Sequence, residues 1–236
     1  MNSSEQADIF LETIKTLKNT GALEHVIVIG SWAEYVYQEA NVLNLTASLK
    51  THDIDLLVPN INYPREKINL PTELEKQGFE LRQTPDGFMK FDKNGIVDLE
   101  FLVREIGSGQ AAPYKVNSLG VTAQGLRNME ILTKNTLAAD VKGLEIIVPR
   151  PEAYVLHKLA INKNRLPDYK KEKDIESAKN VLKAIEKSPQ GNCHLQKIYD
   201  GLTKKQKSLI QDTCERNAIN LPVQREIKKQ LPAKER

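Results

Sequence analysis

The sequence predicts an α+β fold, with a mixed sheet and helices over residues 1–150 and a helical domain over residues 151–236. Three observations carry this. The apolar run His25-Val-Ile-Val-Ile29 ends in Gly30-Ser31, the pattern of a buried strand that turns into a helix. Two later runs, 53–58 and 96–103, set acidic residues at alternate positions among apolar ones, as a strand with one polar face does. From Pro151 onward the periodicity is helical, with Pro149 and Pro151 marking the boundary.

The elements follow in order. Residues 5–19 place Ile9, Phe10, Thr13, Ile14 and Leu17 at helical spacing, and Asn19-Thr20-Gly21 closes that helix. Strand 25–29 leads through Gly30-Ser31 into a helix over 32–40, and residues 41–51 connect to strand 53–58, which ends at Pro59. Pro64 near its start and Gly78 past its end frame a helix over 63–77. Residues 79–83 and 86–92 form a hairpin about Thr84-Pro-Asp-Gly87, and the turn signal Asn94-Gly95 leads into strand 96–103. Short strands are expected near 116–121 and 144–148, with a helix between them near 125–132. Beyond Pro151, residues 151–163, 168–187, 193–200, 203–216 and 222–230 read as helices, and the final Gln-Leu-Pro-Ala-Lys-Glu-Arg is expected to fray.

Composition bounds the class. With 236 residues, 40% hydrophobic and 28% charged, the chain has ordinary globular make-up. No apolar run approaches the roughly 20 residues that cross a bilayer. The opening Met-Asn-Ser-Ser-Glu-Gln-Ala-Asp has neither the basic nor the apolar region of a secretory signal. Cys193 and Cys214 lack metal-ligand spacing, so a cytoplasmic protein with reduced thiols and no membrane partner is expected. The net charge of +3 is uneven: residues 1–150 hold 15 basic and 20 acidic residues, residues 151–236 hold 19 and 11. An acidic front and a basic back suit an enzyme that holds metal in one part and polyphosphate in the other, although solvated lysine-rich helices explain the asymmetry more simply.

The chemistry sits on the alternating strands. Asp53 and Asp55 share a face, where two carboxylates repel each other unless a cation sits between them. Hard oxygen ligands suit Mg²⁺ or Mn²⁺, the ions of phosphate chemistry. Asp98 and Glu100 also share a face, and one of them on the same sheet edge completes a three-carboxylate site of the kind phosphoryl-type transfer uses. At Gly30 the backbone can approach a phosphate, the first amides of the following helix favour an anion, and Ser31 adds a hydroxyl.

In these features the sequence resembles the nucleotidyltransferase superfamily, the fold of DNA polymerase beta and of antibiotic nucleotidyltransferases. The matching parts are Val-Ile-Val-Ile-Gly30-Ser31, Asp53-Ile-Asp55, and Asp98 or Glu100. The resemblance extends to bacterial stand-alone nucleotidyltransferase-like proteins through Glu100-Phe-Leu102, Leu119-Gly-Val121, Pro151-Glu-Ala-Tyr-Val-Leu-His-Lys-Leu159, Arg165 and Lys173-Asp174, and it spans residues 25–185. It implies transfer of a nucleoside monophosphate from an NTP to an acceptor hydroxyl, with two Mg²⁺ (or Mn²⁺) ions held by Asp53, Asp55 and Glu100 or Asp98. Position before Phe-Leu favours Glu100, and an apolar-Asp-apolar reading favours Asp98. Nucleotide-binding roles fall to Gly30, Ser31, Lys158, Arg165 and Lys173.

The acceptor is open among tRNA, protein and small molecules, and the stand-alone relatives include toxin components of toxin–antitoxin and phage-defence systems. A non-catalytic nucleotide-binding module and a metal phosphohydrolase are the competing functions. Lys158 interrupts an apolar helix turn and needs an anionic partner, either a phosphate or a carboxylate such as Asp174. His52 reads as a residue at the start of its strand, and Trp32 and Tyr35 as core.

Overall fold

The computed structural model describes residues 3–47 and 51–224. The chain runs α1 (Ser3–Asn19), a 3-10 turn, β1 (Ile27–Ile29), α2 (Ser31–Glu39), β2 (Asp53–Val58), α3 (Leu70–Lys76), β3 (Glu80–Gln83), β4 (Met89–Lys93) and β5 (Val97–Arg104). It continues through β6 (Tyr114–Val116), β7 (Val121–Leu126), α4 (Glu130–Thr133), β8 (Thr136–Val141) and β9 (Leu144–Pro149) into the helices α5 (Pro151–Ile161), α6 (Asp168–Glu186), α7 (Gly191–Asp200) and α8 (Lys204–Arg216).

The main sheet is mixed, as its sequence pattern implies, in the order β1-β2-β5-β4-β3. β2 and β5 run parallel, while β1 pairs antiparallel with β2 and β4 antiparallel with β5. The second half of β5 pairs instead with β7, which carries β6 on its far side. β8 and β9 form a separate hairpin.

Strand alternation divides the apolar side chains between two faces. Val28, Ile54, Leu56 and Phe101 join the main core, which also takes in α1, α2 and the C-terminal helices. Ile27, Ile29, Leu57 and Leu102 join Met129 and Leu132 in a smaller cluster. The face of β2 and β5 that carries Leu57 and Leu102 therefore also carries the acids. Helix α5 is buried from Pro151 to Ala160, packed against α6, α7 and α8. A helix apolar all round must lie inside, and this one anchors the C-terminal helices to the rest. Trp32 and Tyr35 are core residues: Trp32 stacks on Phe10 at 4.4 Å between ring centres and meets Tyr35 edge-on.

Several elements differ from the sequence reading. The helix expected over 63–77 forms only at Leu70–Lys76. The N–H groups of Ile68 and Leu70 donate instead to the carbonyls of Ser118 and Leu119, and Pro71 sits where a helix begins. Residues 117–120 are a turn between β6 and β7, so 116–121 is not one strand, and strand β7 occupies the start of the expected 125–132 helix, leaving only Glu130–Thr133 helical. Gly125 fits the strand because a Cβ there would strike the Tyr114 ring at 2.5 Å. Strand β8 was not expected; it pairs with β9 across Lys142-Gly143. Of the expected helix at 222–230, residues 222–224 are irregular, and the remainder, with the final segment, lies outside the described residues.

Candidate active site

The in-register parallel pairing of β2 with β5 builds the acid set. Asp53 lies opposite Asp98, and Asp55 lies opposite Glu100. All four face the same side, so both candidates for the third carboxylate belong to one surface. β1 completes the floor, because Ile29 pairs with Asp55 and the next residue is Gly30. Gly30 adopts φ +66° and ψ −153°, a conformation L side chains rarely take, and hands the chain to α2. Ser31 is the first helical residue and lines the cleft, at the end of α2 where the first amides lack intrahelical partners.

Two adjoining clefts, of about 360 and 440 Å³, meet at this floor. Both are lined by Gly30, Asp53, Asp55, Lys158, Arg165 and Lys170. The larger adds Ser31, Asp98 and Lys173. The smaller adds Glu100 and Lys90, with an apolar wall that includes Leu102, Leu126, Met129 and Leu132. The residues given metal- or nucleotide-binding roles in the sequence therefore all line one cleft or the other. A further hollow of about 360 Å³ between α4, α7 and α8 contains none of them.

The electrostatics single out Asp55. Burial, then the neighbouring charges of Asp53 and Glu100, push its carboxyl up to about 6, against the pull of Lys158 and Arg165. Burial and the charge of Asp92 also lift Asp98. Among the described residues, neither Asp53 nor Asp55 receives a side-chain hydrogen bond. Half-buried, mutually repelling carboxylates of this kind fit a hard divalent cation. Glu100 is differently placed: it forms an ion pair with Lys90. Burial alone would lower the Lys90 ammonium, but the Glu100 hydrogen bond and the charges of Glu100, Asp53 and Asp98 raise it overall. Among the described residues, no three acidic, histidine or cysteine side chains converge as a ready ligand cluster.

The opposite wall is cationic. The anionic partner of Lys158 within the chain is Asp174, at 2.5 Å, and Arg165 approaches the other oxygen of Asp174 at 3.2 Å without hydrogen-bond alignment. Lys173 is held below the usual ammonium range by burial and by Lys158, against the attraction of Asp53, Asp174 and Asp55. His157 is buried and neutral: burial, Lys158 and Arg165 push it down to about 3, and its Nε2 has no hydrogen-bond partner. His52 is tied to the start of β5, with its ring Nδ1 3.0 Å from the Ile96 carbonyl.

Sequence reasoning did not pick out Lys90, Lys170 or His157 as site residues. Lys170 lies one turn into α6, three positions before Lys173, and helical spacing puts the two on one side. Lys90 needed the hairpin register, which the sequence leaves open.

Family membership follows from a match over most of the chain. The nucleotidyltransferase family model matches residues 10–198, which include every residue of this site. The chain belongs to the nucleotidyltransferase family. Among solved structures it is similar to an antigenic nucleotidyltransferase-like protein from Paracoccidioides brasiliensis, at 12% identity and a TM-score of 0.53 over 92% of this chain and 91% of that one. It is also similar to the antibiotic-resistance factor ANT(2'')-Ia in solution, at 13% identity and a TM-score of 0.48 over 92% and 95%. Against ANT(2'')-Ia in complex with adenylyl-2''-tobramycin the figures are 12% and 0.47 over 90% and 99%. At such identities the likeness is one of fold. No curated protein matches the sequence. No helix among the described residues is long and apolar enough to cross a membrane.

Proposed function

We propose that this nucleotidyltransferase moves a nucleoside monophosphate from an NTP to an acceptor hydroxyl and releases pyrophosphate, with Mg²⁺ or Mn²⁺ held by Asp53 and Asp55. One observation carries the reading: the mutually repelling Asp53–Asp55 pair lies beside the open backbone of Gly30 and faces the cationic wall of Lys158, Arg165, Lys170 and Lys173. A divalent cation held there by Asp53 and Asp55 would neutralise the acids and supply Lewis-acid polarisation of the phosphate. Gly30, Ser31 and the amides of α2 receive the terminal phosphates. Lys158, Arg165 and Lys173 offset polyphosphate charge, with Asp174 orienting the first two.

The acceptor enters through the cleft that holds Glu100. Its oxygen attacks the α-phosphorus and its proton passes to a carboxylate, Glu100 in preference to Asp98. The bond from α-phosphorus to the bridging oxygen breaks, and its electron pair leaves with pyrophosphate. We place this activity in the cytoplasm, where NTPs are supplied.

The test is a transfer assay with Mg²⁺ or Mn²⁺, each of four α-labelled NTPs, and total RNA, cell protein, small-molecule extract and the enzyme itself as acceptors. Label that appears with the wild type and not with D53A/D55A supports the reading and names the acceptor as RNA, protein or small molecule. NTP binding without transfer to any acceptor would instead favour a nucleotide-binding module. Release of free monophosphate without an acceptor would favour a phosphohydrolase.

A further inference from the structure

We propose that Lys90 is the built-in second cation of this site, so that the loaded protein carries one divalent ion, at Asp53 and Asp55, and not the two that the superfamily resemblance implies. The inference rests on the nucleotidyltransferase reading and deepens it. β4 pairs antiparallel with β5 through Phe91–Leu99, Asp92–Asp98 and Lys93–Val97. Extending that register by one residue sets Lys90 directly opposite Glu100. Cross-strand neighbours on one face are within contact distance, so the sheet itself delivers the ammonium to the carboxylate. The pair forms, and Lys90 lines the same cleft as Asp53 and Asp55.

A second divalent ion would need the third acid as a ligand beside the Asp53–Asp55 pair. Here that position is flanked by an ammonium already bonded to Glu100. An incoming divalent ion would have to break that ion pair and then remain beside the displaced positive charge. Glu100 is thus engaged by Lys90. Lys90 is thereby a positioning residue: it acts through Glu100, holding the carboxylate toward the acceptor cleft and supplying one unit of positive charge there. The acceptor hydroxyl gives its proton to Glu100, the new O–P bond forms, and the electron pair of the breaking P–O bond leaves on pyrophosphate.

The test counts bound Mn²⁺ per chain by equilibrium dialysis without nucleotide, taking as specific the ions lost in D53A/D55A. Wild type and K90R are expected to bind one ion and K90M two, with thermal melts confirming that each variant is folded. K90M should also lose acceptor transfer that K90R retains. A wild-type count of two overturns this inference and leaves the proposed function standing. A K90M count equal to wild type overturns it as well, whatever the activity. A wild-type count of zero removes the metal site and, with it, the proposed function.

Discussion

The backbone of Gly30 lies directly against the carboxylate of Asp55: a Cβ on residue 30 would stand 2.5 Å from Asp55 Oδ2. The relation comes from β1 pairing with β2, which puts Ile29 opposite Asp55 and leaves the next residue to turn away into α2. Gly30 therefore has two reasons to be glycine, a positive φ and the presence of Asp55.

Gly30→Ala is the direct probe of this contact. The strained φ costs about 1–3 kcal/mol, and displacing the Asp55 carboxylate should cost transfer at least about 10²-fold, since small misplacements at a reacting centre are that expensive. The measurement is a denaturant melt alongside the transfer assay. Wild-type activity in this variant would mean that Asp55 is not held in its working position by the Gly30 turn.

Asp55→Asn separates chemistry from stability. Transfer should fall by about 10³-fold or more, as it does when one member of a catalytic unit is removed. Stability should move the other way. In the metal-free protein the carboxyl is raised from 3.8 to about 6, so its contribution is fully favourable below 3.8 and is lost as pH rises through about 6. Metal-free Asp55→Asn should therefore melt several degrees above the wild type near pH 7.5, and the gap should close in acid. Mg²⁺ should raise the melting temperature of the wild type and not of the variant.

Asp174→Asn tests the cationic wall. Asp174 is buried and faces both Lys158 and Arg165. Its loss leaves Lys158 buried without a counter-charge, a change worth about 3–5 kcal/mol in comparable buried pairs. Lys158→Met alone should cost less, because Arg165 remains beside Asp174. A double-mutant cycle over Lys158 and Asp174 would give the coupling, and simple additivity would count against the pair.

Glu34→Ala tests the support behind the site. The Tyr154 hydroxyl donates to Glu34 Oε1 at 2.7 Å, and the Ser177 hydroxyl donates to the same oxygen at 2.5 Å. Removing this acceptor should cost about 2–3 kcal/mol, the range for stranding buried donors of a charged group. Glu34→Gln, which keeps a carbonyl oxygen, should cost less, and a chemical-denaturation series would rank the two.

The legible part of this site was what strand alternation alone determines. Asp53 with Asp55, and Asp98 with Glu100, each share a face whatever the tertiary fold, and Gly30-Ser31, weak alone, gains its meaning from the acids that follow it. What stayed hidden depended on register and partner choice. Lys90 reads as an ordinary hairpin residue until Phe91 is known to lie opposite Leu99. Lys158 plainly needs an anion, but only packing of α5 on α6 shows that Asp174 supplies one within the chain. The Val121–Leu126 segment was misplaced because its mix of Ala, Gln, Gly and Leu suits a helix start as well as a strand, and pairing with β5 decides the matter. β8 has two alanines and little β-branching, so its partner β9 and not its own propensity makes it a strand.

The Glu34 node has a mechanical consequence. Helix α2 begins at the proposed phosphate site, α5 carries Lys158, and α6 carries Lys173, and Glu34, Tyr154 and Ser177 pin these three helices to one another. Swinging the C-terminal helices away from the sheet would strand all three polar side chains at once. The floor and the cationic wall are therefore tied to one another, and Arg165, Leu166 and Lys170 border the cleft beside that joint.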